Sequence, residues 1–140
     1  MYSIPQEPVS IKPIGVVVSD FKKVSRQFDY NQESMIYIRE DLIDALIGIE
    51  LFSHIHVVYY QHRRQDWLEM VGNNQEGQSP WIIPFDSEPG CQGVYSTRSP
   101  ARPSALGYCV VELIKCEQNR LYVRGLDAID GTPVLDIKIY

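Results

Sequence analysis

The stretch GVYSTRSPARPSALG, residues 93–107, combines side chains that are suited to binding an anion. Arg98 and Arg102 each carry a planar guanidinium, which can donate two parallel hydrogen bonds to a carboxylate or a phosphate. Pro100 and Pro103 restrict the backbone, and each pushes the residue before it toward extended geometry. A stiff loop that holds guanidinium groups in place predicts a preorganised anion-binding site.

All three histidines of the chain fall in or at the end of one segment, ELFSHIHVVYYQHR, residues 50–63, which is the strongest predicted strand. Because strand side chains alternate, His54, His56 and His62 are predicted to share a face. A His-x-His pair can bind zinc, but no cysteine or carboxylate stands at ligand spacing beside it. Hydrogen-bonded strand histidines are therefore favoured over a metal site. His62 and Arg63 fit a solvated strand end and a functional pair equally well.

Three aspartates near the end of the chain form another candidate set: Asp127, Asp130 and Asp136. Paired carboxylates can hold Mg²⁺ or act as acid and base. Asp130 opens Asp-Gly-Thr-Pro, which is a turn-forming sequence and explains this residue structurally. Asp136 is predicted to alternate outward on a strand. Asp127 has no such explanation, and its carboxylate could bind an ammonium group or a ribose hydroxyl.

Several common catalytic and nucleotide-binding motifs are missing. The sequence has neither a G-x-G-x-x-G fingerprint nor a G-x-x-x-x-G-K-[ST] loop, so the usual dinucleotide and nucleotide folds lack support. It also has neither G-x-S-x-G nor H-E-x-x-H, so a hydrolase has no motif behind it.

Composition limits the class of protein further. The 140 residues carry 13 Lys and Arg against 18 Asp and Glu, a formal net charge of −5, which argues against unspecific coating of nucleic acid. Cys91, Cys109 and Cys116 lack the spacing of a disulfide framework or a zinc knuckle. A leader sequence and a membrane-spanning run are both absent from the sequence, which predicts a cytoplasmic protein.

The elements that must position these residues are mostly strands. Strands are predicted within residues 11–20, 34–40 and 50–63, and then in 107–117, 120–127 and 134–140. A short helix is predicted over 41–50, with Asp41 as its N-cap and Gly48 near its end. Residues 64–92, which include Trp67 and Trp81, are predicted to be a long loop of the kind that often forms a lid. The prediction is one mainly β domain over 1–140, a small antiparallel barrel with a few short helices and an N-terminal arm at 1–10, without a Rossmann fold.

Five stretches, in this order, resemble the TsaA-like or TrmO-type family of tRNA methyltransferases. They are IKPIGVVVSDFK, VSRQ, LIGIELFSHIHVVYYQHR, GVYSTRSPARPSALG and RGLDAIDGTPVLDIKIY. The similarity covers nearly all of residues 11–140, and its two signatures, around TRSPARP and GLDAIDGTPVLDIK, are long and specific.

This resemblance implies S-adenosylmethionine as cofactor, a small β-barrel in place of a Rossmann sheet, and a homodimer. It implies methylation of N6 of threonylcarbamoyladenosine beside the anticodon of tRNA, with no metal and no membrane. The anion expected at residues 93–107, here called the arginine loop, is then the methionine carboxylate of the cofactor or a tRNA phosphate. Matched to the family motifs, the cofactor-binding residues are Ser25, Arg26, Gln27, His62, Arg63, Arg98, Tyr108, Gly125, Leu126, Asp127 and Ala128.

The chain departs from the family pattern at three places. RPSALG stands where the family usually has RPNPIG, Ser25 replaces a proline, and His56 replaces an aromatic residue. These differences keep two alternatives open, namely a cofactor-binding regulatory or interaction module without tRNA methylation, and a methyltransferase of a different, smaller acceptor. If tRNA is the substrate of this acidic chain, a focused patch has to bind it. The residues predicted for that patch are Arg64, Arg102 and Arg124, together with Arg63 and Arg98.

Overall fold

In a computed structural model, six antiparallel strands close into a barrel. The structure describes residues 1–25, 27–71, 79–84 and 90–140. The barrel strands are β1 (Gly15–Val18), β2 (Glu33–Ile38), β3 (His54–Tyr60), β6 (Leu106–Glu117), β7 (Arg120–Arg124) and β8 (Pro133–Ile139). Around the barrel their order is β1-β2-β7-β6-β3-β8. The predicted antiparallel barrel is confirmed.

Alternating side chains fill the barrel, because successive residues of a strand point to opposite faces. On β3, Ile55, Val57 and Tyr59 point inward, whereas His54 and His56 point outward. The fully buried core consists of aliphatic side chains from all six strands: Val17, Ile36, Ile38, Ile55, Val57, Val111, Leu121, Val123 and Val134. The period of two in the sequence therefore does decide which residues form the core.

The predicted helix at 41–50 is a pair of short 3₁₀ helices, Glu40–Leu46 and Ile49–Leu51. The N-cap is Arg39, not Asp41, which lies inside the first turn with its carboxylate paired to the Arg39 guanidinium at 3.2 Å. Gly48 separates the two helices and has φ of 87°, a left-handed conformation that glycine adopts without strain. The prediction of a break at Gly48 is thus confirmed, and that of the Asp41 cap is wrong.

Two parts of the predicted 64–92 loop are regular structure. Residues Arg64–Val71 form the helix α1, and β4 (Ile82–Pro84) pairs with β5 (Cys91–Gly93) as a separate two-stranded sheet. The Arg63 carbonyl accepts hydrogen bonds from the N–H groups of Asp66 and Trp67 at the start of α1. The loop prediction relied on the polar composition of the whole stretch, which concealed the helix-forming run at its beginning. Whether the remainder forms a lid concerns residues 72–78 and 85–89, which lie outside the described residues.

The turn between β6 and β7 fastens one end of the barrel to β2. Asn119 is buried, and its amide nitrogen donates to the Ile38 carbonyl at 2.7 Å. In return, the Ile38 N–H donates to the Asn119 carbonyl at 2.8 Å. One side chain therefore satisfies a main-chain carbonyl that would otherwise be buried without a partner.

We expect Asn119→Ala to lower the free energy of unfolding by about 1–3 kcal/mol, since the buried Ile38 carbonyl loses its donor. Urea unfolding followed by circular dichroism measures this change. Asn119→Asp keeps the shape but not the donor, so it should be at least as destabilising. Glu117→Ala, in the same hairpin but on the surface, should change the stability by less than about 0.5 kcal/mol. Equal stability of Asn119→Ala and the wild type would contradict this role.

Candidate functional site

The turn between β7 and β8, residues 125–131, carries four of the predicted cofactor-binding residues: Gly125, Leu126, Asp127 and Ala128. Gly125 has φ of 87° and Gly131 has φ of 83°, so both bends use the left-handed conformation. The Gly125 N–H donates to the Gln32 carbonyl at 3.0 Å, and a side chain at 125 would lie 3.2 Å from the Tyr30 carbonyl. Leu126 and Ala128 are buried, whereas Asp127 is exposed between them. The turn therefore presents Asp127 on a rigid base.

Tyr59 and Cys109 hold this turn from inside the barrel. The Tyr59 hydroxyl donates to the Asp127 carbonyl at 2.8 Å, and the Cys109 thiol donates to the Gly125 carbonyl at 3.3 Å. Gly107 lies opposite Tyr59, and a Cβ atom there would lie 2.1 Å from the Tyr59 ring. Burial raises the pKa of Tyr59 and of Cys109, so both stay neutral and act as hydrogen-bond donors.

Arg98 extends from the arginine loop over the outer face of β6. Its guanidinium carbon lies 5.8 Å from the centroid of the Tyr108 ring, which is exposed on that face. Its positive charge opposes the rise in the pKa of both Tyr59 and Cys109. Among the described residues, no carboxylate pairs with Arg98 and no carbonyl accepts its hydrogen bonds. A cation without an anion beside it, next to an exposed ring, fits the anion site predicted from the sequence.

Asp127 and His62 are the groups of this site whose protonation is perturbed. Burial raises the pKa of Asp127 above its ordinary value, although its side chain still reaches solvent. The pKa of His62 is lowered, first by burial and then by the neighbouring charge of Arg63. His62 is therefore neutral at pH 7, and its Nε2 atom lies 3.8 Å from the position that a Cβ of residue 131 would occupy. Asp127 lies in the turn, and His62 lies beside it.

His62 does not share a face with the other two histidines, contrary to the prediction. β3 ends at Tyr60, and the His62 N–H donates to the Tyr60 carbonyl in a tight turn that reverses the chain. His54 and His56 stay on the outer barrel wall, where the His56 ring stacks on Tyr108 with centroids 5.5 Å apart. The described residues contain no group of three or more His, Cys, Asp or Glu that could hold a metal ion.

The loop before β2 borders the turn from the other side. Ser25 and Gln27 lie in this loop, where the Ser25 hydroxyl accepts a hydrogen bond from the Gln27 N–H at 3.1 Å. Phe28 contacts Phe21 and Tyr30, with ring centroids 5.9 and 5.0 Å away, and this cluster keeps the loop folded back. Arg26 lies outside the described residues, so its predicted role stays a prediction.

Of the four other predicted arginines in the described residues, three bind carboxylates or carbonyls of the protein itself. Arg124 forms ion pairs with Glu33 at 2.8 Å and with Glu112 at 2.7 Å, and these hydrogen bonds raise its pKa. Arg63 pairs with Asp66, and Arg102 donates to main-chain carbonyls of its own loop. Arg64 opens α1. The structure therefore leaves Arg98 unpaired over the Tyr108 ring, among the described residues, while Arg124 is already neutralised by two carboxylates.

Three supporting residues are missing from the sequence prediction. Tyr59 and Cys109 carry no motif, and only the strand register reveals that both reach the 125–127 backbone. Gln61 precedes His62, and its side-chain carbonyl oxygen is buried with no hydrogen-bond partner among the described residues. An unpaired buried acceptor is costly, so a donor supplied by a ligand would find a ready partner there. Only the position of Gln61 beside the predicted pair His62 and Arg63 could have drawn attention to it.

Asp130 ties the turn to the end of β1. Its carboxylate accepts from the Ser19 N–H at 3.0 Å and from the Lys22 ammonium at 2.9 Å, and its own N–H donates to the Phe21 carbonyl. These bonds, first that from Ser19 and then that from Lys22, lower the pKa of Asp130. The turn role predicted for Asp130 is confirmed, and the charged form is the one that stabilises the fold.

We expect the stability difference between wild type and Asp130→Asn to depend on pH. A carboxylate whose pKa is lowered on folding stabilises the protein above its unfolded pKa, about 3.9, and loses that contribution as the pH falls through the folded value. The difference should therefore be full at neutral pH and shrink in acid, as measured by urea unfolding at several pH values. Asp20→Asn, an exposed neighbour, is the matched control. A difference that is constant with pH would contradict the assignment.

Comparison with known proteins identifies the family of this chain. The family model of the tRNA-methyltransferase O N-terminal domain matches residues 14–140. A probable S-adenosyl-L-methionine-binding protein of Methanothermobacter thermautotrophicus is 42% identical over 138 residues, covering 94% of this chain and 90% of that protein. A tRNA (adenine(37)-N6)-methyltransferase of Mus musculus is 38% identical over 96 residues, covering 69% of this chain and 20% of that protein.

Comparison with solved structures indicates the same family. TrmO from Pseudomonas aeruginosa superposes with a TM-score of 0.69 at 29% identity, over 97% of this chain and 57% of that one. The chain thus spans little more than half the length of that structure, whereas it spans most of its archaeal relative. On the extent of the family match and on these identities, the chain belongs to the family of tRNA-methyltransferase O N-terminal domains.

Proposed function

We propose that this protein is an S-adenosylmethionine-dependent methyltransferase of tRNA, and that it methylates N6 of threonylcarbamoyladenosine beside the anticodon. The observation that carries the proposal is an Arg98 guanidinium that no carboxylate of the described residues neutralises, held over the Tyr108 ring in a chain of this family. According to their names, the first of the relatives reported above binds S-adenosyl-L-methionine, and the second methylates adenine 37 of tRNA. Neither relative's name mentions a threonylcarbamoyl group, so the proposal of this acceptor rests on the resemblance of the sequence motifs.

The chemistry of the site fits the cofactor. A methionine carboxylate needs a cation, and Arg98 has no carboxylate partner among the described residues. An ammonium group needs an acceptor, and the exposed Asp127 carboxylate is of that kind. The Tyr108 ring offers a flat apolar surface, and the positive φ at Gly125 gives the turn a tight bend without a side chain. These residues would hold the cofactor without a glycine-rich helix terminus.

When bound, the cofactor supplies a methyl group on a sulfonium, which is transferred to nitrogen as the C–S bond breaks and the N–C bond forms. The protein then has to align the acceptor nitrogen with that methyl group, which is the main requirement for a direct transfer. The acceptor nitrogen gives up one proton in the process. His62 is neutral at pH 7 and Asp127 is a carboxylate of raised pKa, so both have the character of a proton acceptor.

We expect Arg98→Ala to weaken binding of S-adenosylmethionine by about tenfold to a hundredfold, since a charge-assisted hydrogen bond contributes about 1.5–3 kcal/mol. Calorimetric titration measures the affinity, and mass analysis of tRNA nucleosides after incubation with cofactor measures the transfer. The tRNA should come from a strain that lacks the enzyme, so that the acceptor is unmethylated.

Arg120→Ala is the matched control, because Arg120 is exposed at the far end of β7 from the turn. Unchanged affinity in Arg98→Ala would refute the role of Arg98. Cofactor binding by the wild type without any methylated threonylcarbamoyladenosine would refute the tRNA reaction, and would favour a binding module or a different acceptor.

We further propose that the chain forms a homodimer, that residues 1–140 form one domain with an N-terminal arm at 1–10, and that the protein acts in the cytoplasm, where tRNA is modified. The outer face of β3 and β6 supports the dimer, since it exposes neighbouring apolar side chains. These are Tyr60, Leu106, Tyr108 and Val110, with exposed fractions between 38% and 47%. A patch of this kind on a small protein is typical of an interface. Among the described residues, no helix is long and apolar enough to cross a membrane.

We expect Val110→Lys to convert a dimer of twice the 16.1 kDa chain mass into a monomer, because the new charge would be buried in the contact. Light scattering coupled to size exclusion measures the mass. Val18→Lys is the matched control, since Val18 is equally exposed but lies on β1, on the opposite side of the barrel from β6. A wild type that stays monomeric, or a Val110→Lys variant that stays dimeric, would contradict this interface.

A further inference from the structure

A second concave site lies beside the arginine loop. It is a cleft of about 350 Å³, lined by Trp81, the residue before β4, by Gly93–Ser96, and by Pro103. This volume is at the lower end of the range for small-molecule sites, about 300–1,000 Å³. Trp81 is 44% exposed and Tyr95 is 80% exposed, so two aromatic side chains of the lining face solvent. Their role is not explained by the barrel core, to which neither of them belongs.

The walls of this cleft are fixed by hydrogen bonds. The Val94 N–H donates to the Trp81 carbonyl at 2.9 Å, which continues the ladder between β4 and β5. The Arg102 Nη2 atom donates to the Val94 carbonyl at 2.8 Å and to the Thr97 carbonyl at 3.0 Å. The Thr97 hydroxyl also donates to the Val94 carbonyl, at 2.8 Å. Val94 is itself buried, so the backbone that carries Tyr95 is anchored on both sides.

Arg102 gives the cleft a positive rim. Its guanidinium carbon lies 5.8 Å from the centroid of the Tyr95 ring. Its Nε and Nη1 atoms have no hydrogen-bond partner among the described residues, and no carboxylate of that part of the chain pairs with it. The cleft therefore combines apolar ring faces with free N–H donors at its edge. A flat, electron-rich ring with carbonyl or ring-nitrogen acceptors matches both features.

We propose that this cleft binds an unpaired nucleobase of the acceptor RNA, stacked against Trp81 and Tyr95, with Arg102 at the edge of the base or its phosphate. The proposal rests on the tRNA methyltransferase function argued above and extends it to a position of substrate binding. Bases of single-stranded RNA loops are commonly recognised by stacking on aromatic side chains and on arginine. Ser96 of the cleft is two residues from Arg98 along the chain, so a base held there lies on the same loop as the arginine proposed to bind the cofactor.

Charge favours stacking as the source of RNA affinity in this protein. The net charge is −5, and Arg63 and Arg124 are already paired with carboxylates. Of the arginines predicted for the tRNA patch, Arg64, Arg98 and Arg102 remain to contact phosphates, so few counterions are released and the dependence of RNA affinity on salt should be shallow. Stacking needs no net positive charge, and loss of a stacking ring typically weakens single-strand binding by about fivefold to more than a hundredfold.

The test uses a synthetic RNA stem-loop of anticodon-arm sequence, and the same stem as a blunt duplex. We expect the wild type to prefer the stem-loop, and Trp81→Leu and Tyr95→Leu each to weaken stem-loop binding by about tenfold or more. Trp81→Phe keeps a ring and should stay within a few-fold of the wild type. In a Trp67→Phe background, Trp81 is the remaining tryptophan, and its fluorescence should be quenched when the stem-loop binds.

Tyr122→Leu is the matched control. Tyr122 lies on β7 with the Lys115 ammonium 4.6 Å from its ring centroid, which is a tyrosine and cation pair outside the cleft. Its stem-loop affinity should equal that of the wild type. Circular dichroism melting identifies any variant that has lost its fold, and Tyr95→Leu, at a largely exposed position, carries the test if Trp81→Leu unfolds.

Unchanged stem-loop affinity in folded Trp81→Leu and Tyr95→Leu would overturn the proposal, and so would equal losses in Trp81→Phe and Trp81→Leu. A change of molecular mass in these variants, with RNA binding unaltered, would assign the cleft to a protein contact and would also overturn it. Methyl transfer is measured separately by nucleoside mass analysis. Ring-dependent stem-loop binding without transfer would leave the cleft standing and remove the methyltransferase function, whereas transfer that is insensitive to both rings would do the reverse.

Discussion

The contact between Tyr59 and Gly107 is the constraint on which the candidate site depends. The Tyr59 ring occupies the space that a side chain at 107 would need, across the pairing of β3 with β6. Only in that position does its hydroxyl reach the Asp127 carbonyl. The cost of burying a phenol is offset by that hydrogen bond, since a buried donor without an acceptor destabilises a fold. The turn that carries Asp127 is thus fixed from within the barrel, independently of any ligand.

Two loops then use this fixed turn as a common neighbour. The 19–32 loop is joined to it through Gln32, Ser19 and Asp130, and the arginine loop approaches it through Arg98 above Tyr108. Arg98 and Arg102 stand four residues apart, yet they act differently. Arg102 holds the backbone of its own loop, whereas Arg98 keeps its guanidinium free of carboxylates within the described part of the chain. One arginine therefore builds the loop that presents the other.

Much of the barrel is readable from the sequence, because alternation of apolar residues is a local signal. The inward set on β3, and the turns at Asp130 and Gly48, follow from residue types alone. The short helix α1 is not recovered, because its helix-forming residues are few and are followed by a polar stretch. The His62 prediction fails for a related reason: continuing the period of two past Tyr60 takes no account of where the strand ends.

The site is only partly readable. Arg98, Tyr108 and Asp127 stand out by type or by resemblance, but their convergence depends on strand register. Arg124 is predicted to bind tRNA, but it is paired with two glutamates that lie 12 and 91 residues away in sequence. No local pattern reveals that this arginine is neutralised.

Closure of the barrel has a consequence for how any partner is received. Each of the six strands has a paired neighbour on both sides, so among the described residues no barrel strand is a free edge strand. Addition of a peptide or a second chain to this sheet by main-chain hydrogen bonds is therefore disfavoured. Recognition on the barrel wall therefore depends on side chains, so a single substitution is enough to change which partner binds.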